Sequence, residues 1–97
     1  MDEQIEEEIK SKGLTAPRVT PDMLDAEIIK EQFHVFEGSQ LTVCCLTLKN
    51  GFTVTGQSAC ASPENFDAAL GEGIAKQNAR QEIWPLLGFR LRDQLST

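Results

Sequence analysis

The chain has 97 residues, with 15 Asp and Glu against 9 Lys and Arg, and a net charge of −6. That length fits one domain, and that sign argues against binding to nucleic-acid polymers, which needs clustered cations. No apolar run approaches the ~20 residues that cross a bilayer. Met1–Gln4 has neither the basic region nor the apolar run of a signal peptide, so a cytoplasmic protein with no membrane partner is expected.

Asp2 to Lys12 reads as a helix. Ile5 and Ile9 sit at i and i+4, acids crowd its start, lysines sit near its end, and Gly13 stops it. Five of the fifteen acids lie between Asp2 and Glu8, whereas Lys76, Arg80, Arg90 and Arg92 make the C-terminal part mildly basic. A stripe of two isoleucines gains little by packing, so this helix either frays or docks on a partner. Thr20-Pro21-Asp22 is a second helix start, with a cap, proline at the first position and an acid next. The pairs Leu24/Ile28 and Ile29/Phe33 extend that helix to about Phe33, with Glu27 outside and a loop over His34–Gln40.

Leu41–Leu48 is apolar on both faces and reads as an interior strand or an oligomer contact. Asn50-Gly51 predicts a type I′ turn with positive φ at both residues. Phe52–Thr55 then returns as the partner strand, pairing Thr47 with Val54 and Cys45 with Gly56. Gly56 marks a bulge or the close approach of another backbone. Ser62-Pro63-Glu64 reads as a capped corner, with Asp67 able to cap a second start. The main helix follows from Ala68, its apolar positions being Leu70, Ile74, Ala75, Ala79 and Ile83. Pro85 kinks or ends it. The tail, with Phe89 and Leu91 alternating with Arg90 and Arg92, fits a short strand or another helical turn. The fold class is therefore α+β, with N-terminal helices, a central antiparallel hairpin and a long C-terminal helix packed on it.

Chemistry is sparse. His34 is the one histidine, and no nucleophile elbow accompanies it. The three cysteines include the adjacent pair Cys44-Cys45, which point to opposite faces of a strand. They read as reduced core thiols, and without a C-x-x-C they supply no metal set. Glu64 and Asp67 lie at a helix start, where acids serve as caps. No enzyme, cofactor or metal is expected. Asn78 falls on the core-facing side of the main helix, so it either ties that helix to the hairpin or, with Asp67, offers hydrogen bonds to a small ligand. Trp84 is either core or a stacking surface.

Arg18-Val19-Thr20-Pro21, the run Leu46–Gly56, Ser58-Ala59-Cys60, Ser62–Asp67, Asn78-Ala79-Arg80 and Ile83–Leu86 together resemble a small tailed-phage family. It is typified by the gene 49 product of phage N4 and the gene 66 product of phage Sf6. The likeness covers a core of about residues 18–92 within a single domain over 1–97, and leaves the acidic helix of residues 1–13 peripheral. It implies a phage accessory protein made in the host cytoplasm, with no catalytic activity attached.

Analogy with other small phage proteins adds a function. The expected one is counter-defence: a homo-oligomer that sequesters a nucleotide-derived host immune signal, of the cyclic oligonucleotide or cyclic ADP-ribose type. Its candidate ligand-binding residues are Arg18, Lys49, Asn65, Asn78, Arg80 and Trp84. Arginine holds phosphate in a fork, tryptophan stacks on a base, and asparagine reads a base edge. The alternative is an inhibitor or adaptor that docks on a host protein through the acidic helix or the hairpin edge.

Overall fold

Helix α1 (Asp2–Ser11) ends in a Schellman motif. Gly13 takes φ +69°, its N–H donates to Lys10 O, and the Leu14 N–H donates to Ile9 O. The structure, a computed structural model, describes residues 2–14 and 16–97. Helix α2 (Pro21–Glu27) starts as the sequence predicts, with the Met23 N–H donating to the Thr20 hydroxyl at 3.2 Å.

It then stops six residues short of Phe33. The backbone turns extended at Ile28 (φ −83°, ψ 119°), and Ile28–Val35 is strand β1. The Leu24/Ile28 and Ile29/Phe33 spacing mimicked a helix face. Tertiary pairing decides otherwise, because β2 (Leu41–Leu48) is apolar on both faces and takes a neighbour on each side. The sheet runs β1-β2-β3, antiparallel throughout, with β3 at Thr53–Ala59.

The β2–β3 turn corrects a second expectation. Only Gly51 has positive φ there, +89°, and Asn50 does not. The Leu48 N–H donates to Phe52 O and the Gly51 N–H to Leu48 O, so the loop holds three residues, Lys49-Asn50-Gly51. The Asn50 side-chain oxygen accepts from the Phe52 N–H at 2.9 Å and stabilises it. The longer loop slips the register by one, pairing Leu46 with Val54 and Cys44 with Gly56. A slip of one exchanges faces. Val54 therefore joins Cys44, Leu46 and Leu48 inside, while Leu41, Val43 and Cys45 share the opposite face with Thr55 and Gln57.

Pro63–Asn65 forms one 3-10 turn, and Ser62 makes no side-chain cap. The cap is Asp67, whose Oδ1 accepts from the Leu70 N–H at 2.9 Å and opens α3 (Ala68–Gln81). Helix α3 lies over β3 and β2. Its inward face carries small residues: Gly71 against Thr42, then the fully buried Ala75 and Ala79. Leu70 and Ile74, expected inside, are exposed, because the helix approaches too closely for large side chains.

Pro85 lies in the first turn of a new helix, α4 (Ile83–Leu95), where its missing N–H costs least. The tail is thus helical. Leu24, Leu46 and Ile83 have no exposed surface, and each such burial contributes roughly 1.5–3 kcal/mol. Glu27, expected outside, is 8% exposed and accepts from Arg90 of α4 at 3.2 Å. The result is one helical layer on one sheet, measuring 50 × 31 × 17 Å.

Candidate functional site

The residues singled out from the sequence lie in several places. Lys49 is exposed at the hairpin tip. Arg18 pairs with Glu6 of α1, and Glu6 borders a groove of about 220 Å³ with Ile5, Ile9 and Trp84. Arg18 and Trp84 therefore belong to one neighbourhood, and Trp84 also packs on the core. Arg80 joins α3 to α2 by donating to Asp25 at 2.9 and 3.1 Å. Asn78 is exposed, yet its Nδ2 donates to Gln57 O at 2.8 Å, which ties α3 to the β3 edge. Asn65 lies apart from all of these, in the corner before α3.

That corner holds a recess of about 110 Å³ between the end of the sheet and the first turns of α3. Its polar lining includes Gln40, Thr42, Ser58, Asn65 and Asp67, and Phe66, Leu70 and Ile74 give it apolar walls. Thr42 has no exposed surface, and its hydroxyl has no hydrogen-bond partner among the described residues. A buried polar group left unpaired costs about 1–3 kcal/mol. The absent side chain of Gly71 leaves room for it, since a Cβ there would lie 3.1 Å from the Thr42 hydroxyl. Asp67 spends one oxygen on the α3 cap and keeps the other for a donor. Among the described residues, no cation lines the recess.

The sequence singled out Asn65 and Asp67 but missed Thr42, Gln40 and Ser58. Placing Thr42 beside Gly71 needs the sheet register, which the Asn-Gly turn misdirects.

Burial pushes the Cys44 thiol up, with the Glu31 carboxylate adding to it, so the thiol keeps its proton at neutral pH. Cys60 donates to Ser62 O at 3.3 Å. Among the described residues, no group of three or more His, Cys, Asp or Glu is arranged to hold a metal. No helix among them is long and apolar enough to cross a membrane.

Residues 19–95 match the model of a phage protein family, described as N4 Gp49/phage Sf6 gene 66. The chain belongs to that family. The match covers β1 to β3, the corner, α3 and α4 up to its last residue, and leaves out α1. The recess of this phage protein is thus built wholly from family-matched residues. No curated protein and no solved structure matches the chain significantly.

Proposed function

We propose that this phage protein acts by binding, without catalysis, in the host cytoplasm, and that it sequesters a nucleotide-derived immune signal. One observation carries the reading: the buried, unpaired Thr42 hydroxyl in a recess that combines amides, a carboxylate and apolar walls. Those are the groups that read a base or sugar edge and cover its flat faces. The volume, about 110 Å³, suits one such fragment, since ligand pockets generally span ~300–1,000 Å³.

Calorimetry against a panel of cyclic di- and trinucleotides and cyclic ADP-ribose isomers tests this. Saturable one-site binding that disappears in Thr42→Val and weakens in Asn65→Ala is expected. Silence across the panel at high micromolar concentration removes the reading.

A second reading, an inhibitor or adaptor on a host protein, has its own support. Phe89 on α4 is 73% exposed, and Leu95 is exposed one to two turns further on. Such side chains serve as anchors in protein interfaces. Here a stoichiometric host partner is expected, lost in Phe89→Glu or on deletion of residues 1–12 and retained in Thr42→Val.

A further inference from the structure

The two edges of the sheet are treated differently. The Phe36 N–H donates to Leu41 O, and β1 and β2 stay in one register from Lys30 to Val35. Antiparallel strands alternate the direction of their backbone groups. Lys30, Gln32 and His34 therefore bond to β2, while Glu31, Phe33 and Val35 aim their N–H and C=O groups outward. Among the described residues, no element pairs with that side.

The opposite edge is engaged at one outward group. At β3, the Asn78 amide occupies Gln57 O, and the α3 backbone lies against Gly56. Among the described residues, no group bonds to the outward backbone of β1, which α3 reaches only through the Lys76–Glu31 ion pair; six of its eight residues are exposed, Ile29 and Val35 among them. Its one irregularity falls between Ile28 and Lys30, which leaves 31–35 regular. An open edge of this kind is a template for another strand.

We propose that β1 is the assembly edge, and that a second copy of this chain pairs antiparallel with it about a two-fold axis at Phe33. That register sets Phe33 opposite its own counterpart and Glu31 opposite Val35, twice by symmetry. Every outward group from Glu31 to Val35 then gains a hydrogen bond. Sliding the axis to Glu31 would set Phe33 opposite Ile29, at the irregularity between Ile28 and Lys30, and Val35 opposite the helical Glu27, which disfavours that register. On the open face the same pairing sets Gln32 opposite His34 and Lys30 opposite Phe36, with no like charges facing each other. The two Phe33 rings meet across the axis, where an aromatic pair adds to the contact. The sheet becomes continuous through both copies, three strands from each. This assembly stands apart from the sequestration reading, and either can fail without the other.

Sedimentation equilibrium of the native chain should give a dimer that dissociates on dilution. By NMR, the Glu31, Phe33 and Val35 amides should exchange slowly in the dimer and quickly after dilution. The Gln32 and His34 amides should stay slow in both. In a Lys76→Ala background, which frees Glu31 from its 2.7 Å ion pair with Lys76 of α3, Val35→Glu sets a carboxylate opposite Glu31, whereas Val35→Lys sets an ammonium there. The first should dissociate about tenfold more readily than the second. Val35→Pro, which removes an outward N–H without touching the β1–β2 ladder, should be monomeric. A native monomer at millimolar concentration, a dimer indifferent to Val35→Pro, or equal behaviour of the Glu and Lys variants would overturn the proposal.

Discussion

A Cβ on Gly56 would sit 2.1 Å from the backbone nitrogen of Ala79 and 2.4 Å from Ala75 O. The neighbour is main chain, which cannot rotate away. Gly56→Ala must push α3 off the sheet along the line where Ala75 and Ala79 are buried. A loss of about 3 kcal/mol or more is expected, at the upper end of overpacking costs. Urea unfolding of the two proteins measures it. Gly73→Ala is the control, because nothing lies within 4 Å of a Cβ there. It should stabilise α3 by up to about 1 kcal/mol.

Asn78 joins α3 to Gln57 O. Asn78→Ala should cost about 1 kcal/mol, the net worth of one hydrogen bond. Asn78→Asp should cost more, because a carboxylate would then face a carbonyl oxygen. Thermal unfolding at neutral pH ranks the three proteins.

Thr42 gives the opposite sign. Its hydroxyl is buried and unpaired, so Thr42→Val removes a desolvated group at little change in shape. The variant should be about 1 kcal/mol more stable than the native chain. Denaturant midpoints at constant slope provide the comparison.

The Cys44 thiol, raised by burial and by the Glu31 carboxylate, should be the slowest of the three to react with a disulfide reagent. Cys45 and Cys60 are half-buried and free and should react first. The folded chain holds the Cys44 proton to higher pH than the unfolded chain does, so this site leaves stability unchanged below the ordinary thiol range. Stability should then fall as pH rises from that range through the raised value. Cys44→Ala should remove that part of the alkaline slope, read from unfolding curves across the range.

Much of the architecture was legible locally. The Thr20-Pro21 start, the interior character of β2, the close approach at Gly56 and the Asp67 cap each rest on a few neighbouring residues. What misled was non-local. Residues 28–33 have apolar spacing that satisfies a helix as well as a strand, and only the second open side of β2 decides between them. Asn50-Gly51 signals a two-residue turn, yet Lys49 joins the loop and shifts the register. Leu70 and Ile74 outrank Gly71 and Ala75 in hydropathy, but small size governs a helix packed this tightly. The candidate site residues scatter for the same reason. The Arg80–Asp25 and Arg90–Glu27 pairs span most of the chain, and no local pattern announces them.

The flatness of the molecule bears on how its mass should be measured. A compact chain of this length has a radius of gyration of about 13 Å, whereas this one has 16.2 Å. A flat, elongated molecule diffuses more slowly than a sphere of equal weight. Gel-filtration columns calibrated with globular standards would therefore make a lone chain resemble a pair, and stoichiometry has to come from light scattering or native mass spectrometry.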